Sequence, residues 1–150
     1  MSTRGFRMLK DDFLSKVIGK PWKNRACSFE AMDCWALVVL YYRHVLGIEI
    51  HQTKDYESGS DFLTCYDGDV VFWQPTETFT DDDVFVAWVG SNPVHVGLIV
   101  DGKALHSRGE NGHVRADAVR TIQKLFTKVE FYRYANHRNS ACPGATERSC

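Results

Sequence analysis

Eight consecutive residues, Asp33-Cys34-Trp35-Ala36-Leu37-Val38-Val39-Leu40, constrain this chain more than any other stretch. Aspartate is a favoured helix N-cap, and the run after it is apolar nearly all round through Tyr41 and Tyr42. A helix without a polar face belongs inside a fold. The pattern therefore predicts a buried central helix from Cys34 to about Leu46, stopped by Gly47. It also puts one thiol in the first helical turn, where unpaired N–H groups and the helix dipole favour the thiolate.

Ahead of that helix, Phe6, Leu9, Phe13, Leu14, Val17 and Ile18 recur at helical spacing, ended by Gly19-Lys20-Pro21. Behind it the pattern turns to strands, predicted over 69–73 after the turn Asp67-Gly68, and then over 84–88, 94–100, 103–108 and 129–134. A helix is predicted near 116–125. Residues 51–68 are polar and turn-rich, and residues 74–93 read as either a lid or a docking loop. Helices first and strands afterwards give an α+β domain, N-terminal helices and a buried central helix packed on an antiparallel sheet. With 150 residues the chain is one domain, assigned to residues 1–135, with 136–150 as a mobile tail.

Charge and cysteine usage exclude several classes. Eighteen basic against 19 acidic residues leave a net charge of −1, without the broad basic surface of a nucleic-acid binder. No segment approaches the roughly 20 apolar residues of a membrane span, and no signal-peptide run comes after the N-terminus. The expectation is a soluble chain made in the cytoplasm. Five cysteines, Cys27, Cys34, Cys65, Cys142 and Cys150, are an odd number without CxxC spacing. That argues against a disulfide framework or a zinc ribbon, so thiols are expected.

A second stretch, His95-Val96-Gly97-Leu98-Ile99-Val100-Asp101-Gly102-Lys103-Ala104-Leu105-His106, supplies two histidines on one hairpin. If Asp101-Gly102 forms a two-residue turn, Val100 pairs with Lys103, Ile99 with Ala104, Leu98 with Leu105 and Gly97 with His106. His95, Gly97 and His106 then share a face, with the histidines as diagonal neighbours roughly 7–8 Å apart at the backbone. Gly97 leaves room for an imidazole to lie across the sheet. A cysteine nucleophile with an imidazole to take its proton, and a second imidazole to orient the first, is the chemistry this set suggests.

Other readings of the same residues compete with it. Cys34, His95 and His106 are also three zinc ligands, though without the close spacing typical of such sites. Asp81-Asp82-Asp83 lacks the loop pattern of a calcium site and reads as a solvated turn. Trp22 and Trp35 flank the thiol in sequence, as core packing or as walls of a substrate cleft. His44, His51, His113 and His137 receive no role.

These pieces together resemble the NlpC family of papain-like cell-wall cysteine peptidases, in the branch found in phage tail-tip proteins. The resemblance rests on Ile18-Gly19-Lys20-Pro21-Trp22, Asp33-Cys34-Trp35-Ala36-Leu37-Val38, Gly68-Asp69-Val70-Val71, His95-Val96-Gly97-Leu98-Ile99 and Ala104-Leu105-His106, in family order. It implies a papain-like fold, Cys34 as nucleophile, His95 as general base and His106 as the polar residue orienting it. It implies Asp33 as a ligand of the substrate's free amine and Trp22 as a cleft wall. It implies hydrolysis of peptidoglycan stem peptides, at the bond between γ-D-glutamate and diaminopimelate, without metal or cofactor. It further implies a place in the virion among other tail-tip or hub proteins. Trp35 and Ala36 depart from the commoner Ser and Gly, although Trp is usual in the phage branch, and residues 74–93 are longer than the usual link. A structural tail component with a silent site, and an acyl-transfer enzyme, are the alternatives.

Overall fold

Helix α2, Cys34–Tyr41, is buried at all eight positions, as an all-round apolar sequence requires. The computed structural model describes residues 7–50, 73–109 and 111–134. The Asp33 carboxylate accepts the Ala36 N–H at the helix start. Beyond Tyr41 the α-helix does not run on to Leu46; the chain widens into a π-helical turn, Tyr42–Leu46. Gly47, left-handed at φ 73°, closes it with an N–H to the Tyr42 carbonyl. Helix α1, Lys10–Val17, buries Phe13 and Val17, while Leu9 and Ile18 stay exposed. Its apolar stripe is therefore narrower than the sequence spacing suggests.

Six strands come next: β1 Trp73–Thr76, β2 Val84–Val89, β3 Asn92–Val100, β4 Lys103–Ser107, β5 Val114–Ala118 and β6 Lys128–Tyr134. They form one sheet in the order β1-β6-β2-β3-β4-β5, antiparallel throughout. Helix α2 packs on β3 and β4, burying Val84, Val96, Leu98 and Leu105. A short helix α3, Val119–Leu125, closes a second cluster of Phe85, Ile99, Ala104, Val119, Ile122 and Phe131. The architecture is the expected α+β one, with three helices on an antiparallel sheet. No helix among the described residues is long and apolar enough to cross a membrane.

Three expectations change, and a fourth is described only in part. The helix near 116–125 begins only at Val119, because residues 114–118 pair with β4 and satisfy the backbone groups of its open edge. The strand expected over 69–73 is described only at Trp73, where β1 begins; the turn at 67–68, residues 51–68 and the tail 136–150 lie outside the described residues. Cys27 is disulfide-bonded rather than a thiol. The run Asp81-Asp82-Asp83 is a turn, exposed at Asp81 but buried at Asp83, and each carboxylate meets donors from a different element.

Asp81 accepts the backbone N–H groups of Asp101 at 2.8 Å and Gly102 at 3.0 Å, while Lys10 of α1 pairs with Asp101 at 2.7 Å. Asp82 accepts the Tyr41 hydroxyl at 2.6 Å on its carboxylate, and its carbonyl takes the Tyr42 hydroxyl. Asp83, buried, accepts the Thr80 N–H and is gripped through both oxygens by Arg133 of β6. The link over 74–93 is thus largely strand and turn, built into the sheet.

Gly97 on β3 has a steric reason. A Cβ there would come 2.4 Å from a ring carbon of Phe85 and 2.9 Å from the Leu105 carbonyl oxygen. Gly97→Ala is expected to destabilise the fold by about 1–3 kcal/mol, the cost of overpacking a closed site. Denaturant unfolding would check this, and an unchanged midpoint would show that Phe85 is free to move.

Candidate active site

Hairpin β3–β4 turns at Asp101 and Gly102, with φ values of 54° and 75°, the positive pair that a two-residue primed turn needs. Its register is the one the sequence predicts: Val100 opposite Lys103, Ile99 opposite Ala104, Leu98 opposite Leu105. His95 and His106 therefore share a face, and His95 Nε2 stands 2.9 Å from His106 Nδ1. The β2–β3 register shifts beside His95: Ala87 pairs with His95 and Trp88 with Pro93, which leaves Val94 as the extra residue of a bulge in β3.

The rings are packed from every side. His95 is 5% exposed and His106 1%. Phe85 stands edge-on to both, at 5.9 and 6.2 Å between centroids, and Phe126 stacks on His95. The room expected over Gly97 for an imidazole is filled instead by the Phe85 ring.

Strand β5 adds a residue that sequence reading missed. Asp117 Oδ2 lies 2.7 Å from His106 Nε2, and Arg115 braces the same carboxylate with Nε at 2.9 Å from Oδ2 and Nη2 at 3.0 Å from Oδ1. The available signal was the alternation Val114-Arg115-Ala116-Asp117-Ala118 after His113, hidden by assigning part of it to a helix.

The order of atoms dictates where the protons sit. A carboxylate only accepts, so His106 donates from Nε2 and its Nδ1 is bare. Bare Nδ1 must then accept from His95 Nε2–H, which leaves a lone pair on His95 Nδ1. Electrostatics agrees with two neutral rings. Burial, then the electrostatic influence of the His106 ring and the charge of Arg108, hold His95 well below the usual imidazole range. Burial also lowers His106, outweighing the bond and the charge of Asp117, which raise it. At Asp117, burial pushes upward, but bonds from His106 and Arg115 win and hold it below the usual carboxylate range. The His106–Asp117 contact is therefore an ion–neutral hydrogen bond at neutral pH, not an ion pair.

Cys34, a free thiol 3% exposed, occupies the first residue of α2. It packs within the α2-side core, whereas the two rings lean on Phe85 and Phe126 of the other cluster. Both sets reach the same end of the sheet. There Ser107, next after His106, donates its hydroxyl to the Met32 carbonyl at 2.8 Å, two residues before the thiol.

The other expected site residues fall differently. Asp33 is 1% exposed, and its two oxygens accept the Ala36 N–H at 2.9 Å and the Arg25 N–H at 2.8 Å. In this structure it caps and braces the thiol's turn, and presents no open face to a substrate amine. Trp35, 2% exposed, lies in the core and not on a cleft wall. Trp22 is half-buried in a segment running beside β5, its N–H donating to the Gly112 carbonyl at 3.0 Å. Gly112 lines a cleft of about 470 Å³ that also contains His106 and Asp117. No group of three His, Cys, Asp or Glu side chains among the described residues is placed to hold a metal ion, so the three-ligand zinc arrangement is not formed.

A thiol at a helix start, paired imidazoles and a terminal carboxylate are the components of cysteine–histidine hydrolases. Residues 19–133 match the NlpC/P60 family, and the chain belongs to it. The fold is similar to NlpC1 from Trichomonas vaginalis, with a TM-score of 0.60 and 15% identity over 83% of this chain and 42% of that one. NlpC2 from the same organism gives 0.57 and 16%, over 83% and 44%. The NlpC/p60 domain of the peptidoglycan hydrolase SagA gives 0.55 and 15%, over 81% and 92%. This chain thus spans less than half the length of either Trichomonas protein. No curated protein matches the sequence.

Removing the terminal charge should disorder the proton arrangement. In ring-nitrogen NMR, the wild type is expected to show protonated Nε2 and bare Nδ1 on both histidines, and Asp117→Asn a mixture of tautomers. An unaltered pattern in Asp117→Asn would show that something other than the carboxylate sets the order.

Proposed function

We propose that this protein is a cysteine endopeptidase of bacterial peptidoglycan stem peptides, acting on the bond between γ-D-glutamate and diaminopimelate. The observation that carries this reading is the chain Asp117–His106–His95, which ends in a proton-accepting nitrogen held in a dry pocket. Membership of the NlpC/P60 family supports it, as does the likeness to a peptidoglycan hydrolase domain.

Cys34 gives its proton to His95 Nδ1, and the thiolate attacks the amide carbonyl. The first turn of α2 turns the positive end of its dipole toward the developing oxyanion. His95 returns the proton to the leaving nitrogen, the C–N bond breaks, and a thioester remains on Cys34. Water, deprotonated by His95, then attacks the thioester; the acyl group leaves as a carboxylic acid and the thiol is restored. Trp22, whose backbone N–H bonds the cleft residue Gly112, is assigned in this reading to flank a bound peptide.

The setting we infer is a phage tail tip, docked among other tail or hub proteins, where the enzyme opens the wall locally for genome entry. Support for that comes from Trp35 after the cysteine, the form the resemblance associates with the phage branch.

Digestion of diaminopimelate-type peptidoglycan, with mass spectrometry of the products, tests the reaction. Stem-peptide fragments are expected from the wild type and none from Cys34→Ala. No release from either, with tail partners present, would leave a structural tail component as the better account. A second expectation concerns pH. His95 must be neutral to accept the thiol proton, and its affinity for protons lies well below the ordinary 6.5. Activity should therefore persist as pH falls through 6.5 and fail only further down; an acid limb centred at or above 6.5 would contradict this assignment of the base.

A further inference from the structure

The cleft beside the histidine pair carries more positive charge than it uses. Arg108, Asn111, His113, Arg115, Asp117 and His106 line it. Among the described residues its one lining carboxylate, Asp117, is already engaged by Arg115 and His106. Arg108 has no hydrogen-bond or ion-pair partner among the described residues. Its guanidinium carbon stands 5.2 Å from the centroid of Phe126, the ring that also stacks on His95. Stacking uses the face of a guanidinium and leaves its N–H edges open. The result is a planar donor fork, resting on an aromatic ring and unanswered by any described residue, at the edge of the proton chain.

A fork of this geometry fits a carboxylate. A γ-linked glutamate residue offers one, because its peptide bond uses the side-chain carboxyl and leaves the α-carboxylate free on the residue whose carbonyl is attacked. We propose that Arg108 receives this α-carboxylate and thereby sets the enzyme's preference for acidic over amidated stem peptides. The proposal rests on the peptidase reading above. It has a consequence for the base: the Arg108 charge opposes protonation of both imidazoles, and a bound carboxylate cancels that opposition. His95 would then be a stronger base with the substrate in place than without it.

The test crosses two peptides with two proteins. The peptides are L-Ala-γ-D-Glu-diaminopimelate with the glutamate α-carboxyl either free or as its carboxamide. Wild type is expected to favour the free acid by about 10- to 100-fold in kcat/KM, the range for a hydrogen bond to a charged group. Arg108→Gln should bring the two peptides to near equality. A preference that survives Arg108→Gln, or a wild type without preference, overturns the proposal. Calorimetric binding of both peptides to Cys34→Ala separates the two readings. If the wild type cleaves neither peptide, the peptidase reading falls. The carboxylate site then stands only if Cys34→Ala binds the acid more tightly and adding Arg108→Gln abolishes the difference; equal binding overturns it.

Discussion

Two imidazole nitrogens 2.9 Å apart share a single proton, and the ring that owns it is decided at the far end of the pair by a carboxylate that can only accept. The rest of the structure serves that arrangement. The Asp101-Gly102 turn puts the two rings on one face, since a register slipped by one residue would send them to opposite faces. Phe85 and Phe126 wall them off, and Arg115 holds the carboxylate in line. Exclusion of water is as much part of the chemistry as the bonds are. In wet surroundings each ring would trade partners with solvent, and no tautomer would persist.

Helix α2 poses a different problem. Burial of apolar surface is non-directional, so a helix apolar on all sides is driven inward without being told how far to slide along the sheet. Its polar ends supply that information. At one end the Asp33 carboxylate binds the Ala36 and Arg25 N–H groups; at the other, the Tyr41 and Tyr42 hydroxyls bond to Asp82. Burial, and then the nearby carboxylate, push the Tyr41 hydroxyl well above the usual phenol range, so it stays a donor at any physiological pH. Asp81 and Asp83 extend the same joint to the hairpin turn and to β6. Three adjacent acids thus align helix, hairpin and strand β6, and so fix where the thiol stands.

What was legible in the sequence was what local rules determine. An N-cap before an apolar run located the central helix, and a two-residue turn fixed the hairpin register and the meeting of His95 with His106. Residues whose roles depend on distant partners were not legible. The segment 114–125 carries alternation and then helical spacing, and the boundary at Val119 is set by pairing with β4, which no local pattern encodes. With the strand misread, Asp117 had no face to share with His106. The acidic run failed for the same reason, because its donors come from residues 20 to 50 positions away. Trp22 and Trp35 flank the cysteine alike in sequence, and only packing separates the half-buried one from the core one.

Strand β6 lies between β1 and β2, although it is the last of the described strands in chain order, and among the described residues β1 pairs with no other strand. A growing polypeptide that has reached Leu125 already contains every strand of the β2–β5 meander, with the histidine hairpin and Asp117 included. It does so with the outer edge of β2 open and β1 unpaired. An open edge is a template for another chain and so an aggregation hazard. Insertion of β6 covers that edge and captures β1 in one step. Closure of the sheet and protection from aggregation are thus a single event.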